Sequence, residues 1–97
     1  MSLDSAQRRR TAAEFAANLA ASGLTRDELR VRTGLPATRF DTALAMQPGA
    51  DPVDVWLVRD TLETAVAEAD APATPFTVLT EDMRAAANGW FGVTDQR

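Results

Sequence analysis

The sequence LTRDELRVRTGLPATRFDTAL, residues 24–44, decides the fold that we expect for this chain. Thr25 is a favourable N-cap residue, and the side chain of Glu28 can accept a hydrogen bond from the Thr25 backbone N–H, so a short helix should begin here. Gly34 tolerates the positive φ of a tight turn, which ends this helix. Pro36 then opens a second helix because its φ is already helical. The pattern predicts two short helices that meet at a sharp angle.

The apolar positions of this stretch have the spacing of a unit that packs on itself. Leu29 and Leu35 should point inward, and the second helix should bury Phe40, Ala43 and Leu44. On these residues the chain resembles the lambda-repressor-like helix-turn-helix group. The resemblance implies that the second helix is a DNA-reading helix.

Arg30 departs from that group, which usually packs a small residue four positions before the turn glycine. Its long side chain must extend outwards, or the two helices must cross more openly, and we expect Val31 to take over the packing. Two short helices joined by a glycine turn also occur in all-α domains that never bind DNA, because a fold does not fix a function.

The length and composition predict an all-α fold, a compact bundle of about five helices. The chain has 97 residues, enough for one core and too few for two, and 45% of them are hydrophobic. Alanine is frequent and β-branched runs are few, which favours helices. We expect a single domain over residues 1–97, with the helix-turn-helix at about 25–45 and C-terminal helices at about 52–69 and 80–88.

The N-terminal stretch superficially resembles an export signal, because three arginines at 8–10 precede an alanine-rich run. Glu14 and Asn18 interrupt that run, so a surface helix that docks on the core is the better interpretation. The residues expected on its apolar face are Ala12, Phe15, Ala16 and Leu19. No segment is long and apolar enough to span a bilayer.

A long helix should begin at Asp51, an N-cap residue followed by a proline at the first helical position. The expected core-facing stripe is Val55, Val58 or Arg59, Leu62 and Val66. Four acidic residues should lie largely off this stripe: Asp54, Asp60, Glu63 and Glu68. Arg59 and its neighbour Asp60 should not face each other on a helix, whereas Arg59 and Glu63 can form an exposed pair.

The segment DAPATP, residues 70–75, should be an extended connector because its prolines disfavour helical angles in the residues before them. Phe76, Val78 and Leu79 should then return to the core. Thr80 can cap a last helix that runs through Ala87. The aromatic pair after it, Trp90 and Phe91, should cover the core or form an interface.

The residue inventory argues against an enzyme. The chain contains no His, Cys, Tyr or Lys, so the commonest nucleophiles and proton carriers are missing. It has no glycine-rich phosphate loop and no metal-ligand spacing. We therefore expect no catalytic residue, no cofactor and no metal site. The lack of cysteine suits a reducing compartment, and we expect a cytoplasmic protein.

The charge distribution is polarised, although the net charge of −4 does not suit a general nucleic-acid binder. Residues 1–40 carry seven arginines and four acids, and residues 41–97 carry three arginines and ten acids. The basic excess thus coincides with the helix-turn-helix, as a DNA-facing surface requires.

Three further motifs stand together in the second half: WLVRDTL at 56–62, PFTVL at 75–79 and GWFG at 89–92. With the MSL opening and SGLT at 22–25, they make the chain similar to DUF2316 nearly from end to end. Thr61 and Gly89 depart from the family pattern, where aromatic residues are commoner. The resemblance implies a small helical bacterial protein related in outline to helix-turn-helix regulators. It implies no catalytic or ligand-binding residue.

The leading hypothesis is a DNA-binding transcription regulator that reads double-stranded DNA as a homodimer. Thr38, Thr42 and Ala37 should face base edges, and Arg39 a guanine or a phosphate. The arginines expected at the backbone are Arg26, Arg30 and Arg32. The alternative is a protein-interaction or homodimerisation module that has kept the fold without DNA binding. Asp41 favours this alternative, because a carboxylate on the reading helix repels phosphate.

Overall fold

Five helices build the described part of the protein, residues 3–85 of a computed structural model, and no strand occurs there. They are α1 (Ser5–Ser22), α2 (Arg26–Thr33), α3 (Ala37–Leu44), α4 (Pro52–Glu68) and α5, which begins at residue 81 and is described through residue 85. The predicted all-α bundle is confirmed. The predicted end of the last helix and the pair Trp90 and Phe91 lie outside the described residues.

Local capping chemistry sets both ends of α2 as predicted. Thr25 and Glu28 form a capping box, with N–H to side-chain oxygen distances of 2.8 and 3.1 Å. Gly34 ends α2 with a φ of 75°, a left-handed conformation that favours glycine. Pro36 occupies the N-cap of α3, so the helix proper begins one residue later than predicted, at Ala37.

The core lies where α4 packs against α1, α2 and α3. All five apolar positions predicted for the two short helices are buried. From the longer helices the core takes Phe15, Val55, Val58, Leu62, Ala65 and Val66, and from the last segment Val78 and Leu79. Burial of these apolar surfaces is the main term that favours the folded state.

Two apolar predictions are wrong. Val31 does not replace the missing small residue, since 67% of it is exposed. Arg30 instead lies along the turn, where its Nη1 donates to the Leu35 carbonyl at 3.4 Å. Ala16 is exposed because the buried face of α1 is rotated toward a polar stripe. That stripe consists of Thr11, Glu14, Asn18 and Ser22, which flank Phe15.

The polar stripe of α1 binds the extended segment that follows α4. The Asn18 amide donates to the Thr74 carbonyl at 2.9 Å and accepts from the Thr74 N–H at 3.0 Å. The Glu14 carboxylate accepts from the N–H and the hydroxyl of Thr77, at 3.1 and 2.6 Å. Between these contacts Phe76 packs edge-on against Phe15, with ring centroids 6.0 Å apart. The expected return of this segment to the core is confirmed.

Arg59 fixes the chain after this segment. It is buried, with its side chain 6% exposed, and its Nε donates to the Leu79 carbonyl at 2.8 Å. Its guanidinium also lies 4.9 Å from the centre of the Phe76 ring, a cation–π contact. The prediction that Arg59 and Asp60 do not meet is wrong, since Nη1 reaches Asp60 at 2.9 Å. The long side chain reaches both the Leu79 carbonyl and the neighbouring carboxylate of Asp60.

We predict that Asn18→Leu lowers the free energy of unfolding by about 1–3 kcal/mol, because leucine has nearly the same shape but leaves the polar groups of Thr74 without their partner. Urea denaturation followed by circular dichroism measures the change. Ala17→Leu, on the exposed face of the same helix, is the control and should stay within about 0.5 kcal/mol of the parent. Equal effects of the two substitutions would contradict the prediction.

Candidate nucleic-acid interface

The outer face of α3 is the surface that the sequence assigned to DNA. Phe40, Ala43 and Leu44 anchor the helix in the core, so the opposite side faces solvent. Ala37, Thr38 and Arg39, its first three residues, are all exposed. The predicted positions thus lie together at the N-terminal end of α3, the end that enters the major groove in helix-turn-helix proteins.

Thr42 is placed differently from the other predicted contacts of α3. It is half-buried, and its hydroxyl donates to the Thr38 carbonyl at 2.9 Å within the helix. The neighbouring exposed position is Asp41, which brings a carboxylate to the outer face. The face therefore presents a methyl group, a threonine hydroxyl, an arginine and an acid.

Arg39 is held by a two-point ion pair with Asp54 of α4. Its Nε donates to Oδ2 at 2.9 Å, and its Nη2 donates to Oδ1 at 2.6 Å. The Asp54 side chain is only 4% exposed, whereas that of Arg39 is 55% exposed. The hydrogen bonds to Asp54, and then its negative charge, raise the pKa of Arg39. The pair holds the guanidinium in a fixed orientation at the edge of the α3 surface.

The burial of Asp54 corrects the prediction that it lies off the core-facing stripe of α4. Its position in the first turn of α4 is electrostatically favourable for an acid, because helix N-termini carry partial positive charge. The positive charge and two hydrogen bonds of Arg39 further compensate the negative charge of the buried Asp54 carboxylate. The hydrophobic period of α4 gives no sign of this, since the partner comes from another helix 15 residues earlier in the chain.

Two of the three α2 arginines predicted at the DNA backbone are also paired with acids. Arg26 binds Asp41 of α3 at 2.7 Å, and its guanidinium lies 5.6 Å from the centre of the Phe40 ring. Arg32 binds Glu68 at 2.7 Å, at the far end of α4. All four side chains of these ion pairs are more than 40% exposed, so the pairs are open to water and ions.

The arginines without a carboxylate partner in the described residues lie mostly elsewhere. They are Arg8, Arg9 and Arg10 on α1, and Arg30 on α2. The structure therefore brings Arg26 and Arg39 to the two sides of the α3 surface, but it turns Arg32 to the end of α4. A count of charges along the sequence cannot reveal these pairings, because each joins different helices.

A metal site and a membrane-spanning helix find no support within residues 3–85. No group of three acidic side chains there is close enough to hold a metal ion. None of the described helices is both long and apolar enough to cross a membrane.

The fold and surface define a small all-helical protein in which two short helices pack across a longer one. Comparison with known proteins gives its family: residues 1–92 match the one described as "Uncharacterized protein conserved in bacteria (DUF2316)". The chain belongs to this family, as the sequence motifs indicated. No curated protein and no solved structure matches it.

We predict that Arg39→Gln destabilises the protein more than the double variant Arg39→Gln/Asp54→Asn. The single substitution leaves a buried carboxylate without its two charged donors, and the second removes that charge. Urea denaturation of both variants tests the order. Arg26→Gln, which breaks an exposed pair, is the control and should change the free energy of unfolding by less than about 1 kcal/mol. A double variant less stable than the single one would contradict the role given to Asp54.

Proposed function

We propose that this protein is a DNA-binding transcription regulator, in which α2, the turn at Gly34 and α3 form a lambda-repressor-like helix-turn-helix. The observation that carries the proposal is the exposed first turn of α3 beside an arginine that a buried acid orients. A fixed guanidinium loses less conformational entropy on binding than a mobile one, and this favours recognition.

In the proposed complex α3 lies in the major groove, with its N-terminal end toward the base edges. The Thr38 hydroxyl is exposed and can donate to or accept from a base, and the Ala37 methyl group can contact a thymine methyl. Arg39 keeps Nη1 for a guanine or a phosphate, since its bonds to Asp54 use Nε and Nη2. Thr42 contributes its methyl group, because its hydroxyl is bonded within the helix.

The proposed contacts to the DNA backbone come from α2. Arg30 has no carboxylate partner in the described residues, and Arg26 forms an exposed pair that phosphate can displace. Arg32 reaches a phosphate only if it leaves its exposed pair with Glu68 at the far end of α4. One copy offers few such contacts, so we propose that the protein binds as a homodimer on two half-sites. As a regulator of transcription in bacteria it would act in the cytoplasm.

A second candidate is a protein-interaction or homodimerisation module that does not bind DNA. The specific observation in its favour is that Arg26, Arg32 and Arg39 already have carboxylate partners. Exchange of each pair for a phosphate releases a carboxylate that then stands near the DNA. Under this candidate the ion pairs stabilise the fold. The acidic second half of the chain, residues 41–97, then binds another protein or a second copy.

DNA binding is tested by fluorescence anisotropy with two labelled duplexes, one of mixed sequence and one from upstream of the protein's own coding sequence. We expect salt-dependent binding that is at least about 1,000-fold tighter to the upstream duplex, as for specific readers. Thr38→Ala should weaken binding to that duplex by roughly 1–3 kcal/mol, whereas Thr64→Ala, an exposed threonine of α4, should not. Absence of binding at low salt would favour the interaction module.

Asp41→Asn gives a test in the opposite direction. The substitution removes a negative charge from the proposed reading helix and frees Arg26 from its ion pair, so we expect tighter DNA binding because Arg26 no longer gives up Asp41 to reach a phosphate. The matched control is Asp82→Asn, which removes an equal charge from α5. If both variants bind DNA equally, the surface around α3 is not the one that meets the phosphates.

A further inference from the structure

A groove runs between the first half of α1 and the turn that follows α3. It consists of two adjoining cavities of about 230 and 440 Å³. Both are lined by Arg8, Met46 and Pro48, the smaller one also by Leu3 and the larger one also by Arg9 and Ala12. Pockets for small organic ligands have volumes of about 300–1,000 Å³, so the groove has a suitable size.

The charge at this groove is positive. Arg8 and Arg9 line it and have no carboxylate partner in residues 3–85, in contrast to the arginines beside α3. Nη1 of Arg8 donates to the Leu3 carbonyl at 2.7 Å, which fixes the side chain and leaves Nε and Nη2 for another acceptor. The nearby acid Asp4 caps α1 by accepting from the Gln7 N–H at 2.8 Å.

Apart from Arg8 and Arg9, the larger cavity is lined mainly by apolar residues: Ala12, Ala45, Met46 and Pro48. Met46 is buried at 5% exposure and holds a positive φ of 54°, stabilised by its N–H bond to the Ala43 carbonyl at 3.1 Å. The next residue donates its N–H to the Thr42 carbonyl at 3.0 Å, which closes the turn. Methionine adapts its shape to apolar ligands, so this surface suits an aliphatic chain.

We propose that the groove binds a small amphiphilic anion, a carboxylate with an aliphatic chain. The carboxylate binds Arg8 and Arg9 through charge-assisted hydrogen bonds, and the chain lies on Ala12, Met46 and Pro48. An inorganic anion makes no use of the apolar lining, and a neutral hydrocarbon makes no use of the charges of Arg8 and Arg9. The proposal does not depend on DNA binding, and the experiment that tests it contains no DNA.

The test uses the full chain and octanoate as the probe, with titration followed by calorimetry and by the backbone amide shifts in NMR spectra. We expect saturable binding that shifts the amides of Ala12 and Met46. Acetate, which has the charge without the chain, and 1-octanol, which has the chain without the charge, should each bind at least about tenfold more weakly, because each lacks one of the two interactions.

Two pairs of variants locate the site. Arg8→Gln/Arg9→Gln should weaken octanoate binding about tenfold or more, whereas Arg10→Gln, on the same helix but outside the lining, should not. Ala45→Leu should also weaken binding, because Ala45 lines the larger cavity and a leucine there occupies the space of the ligand chain. Its control is Ala17→Leu, on the exposed face of α1.

The proposal is overturned if octanoate does not bind, if 1-octanol binds as tightly, or if Arg10→Gln has the same effect as the double variant. Light scattering with size-exclusion chromatography gives a further check. A parent protein that is dimeric and binds no octanoate, with an Ala45→Leu variant that is monomeric, would show that a second copy covers the groove instead.

Discussion

The ion pair between Arg39 and Asp54 is the interaction on which the proposed reading surface depends. It joins the first turn of α3 to the first turn of α4, so the most exposed part of α3 is attached to the helix that organises the core. Phe40, Ala43 and Leu44 anchor α3 by apolar contacts, which are not directional. The directional hydrogen bonds to a buried carboxylate supply that restraint.

The middle of α4 carries a second buried charged residue, which is basic where Asp54 is acidic. There Arg59 donates a hydrogen bond to the carbonyl of Leu79, and its guanidinium packs over the ring of Phe76. Asn18 and Glu14 hold the same segment from α1. An irregular segment of this kind exposes backbone polar groups, and these side chains satisfy them. Buried polar contacts thus hold the start of α4 through Asp54 and the returning segment through Arg59, Asn18 and Glu14.

The difference between local contacts and contacts that join distant parts of the chain explains how much of the structure the sequence predicts. Helix ends follow from contacts between residues three or four apart, such as Thr25 with Glu28, and these are visible in the sequence. The buried apolar set of the two short helices follows from periodicity. The burial of Asp54 and Asn18 does not, because their partners lie 15 and 56 residues away. Val31 shows the same limit, since helical spacing alone cannot say which of two adjacent faces meets the core.

The structure changes the interpretation of the charge distribution more than that of any other sequence feature. The basic excess of residues 1–40 suggested a cationic surface around α3, yet Arg26 and Arg39 are paired there with Asp41 and Asp54. Affinity for DNA rises with the number of phosphates that a protein neutralises, so a single copy of this surface supplies a small electrostatic term. A DNA-bound form must therefore exchange exposed ion pairs for phosphates or use two copies on one duplex. Within residues 3–85 the arginines of α1 have no carboxylate partner, and for that reason the groove beside them is the stronger site for a small anion.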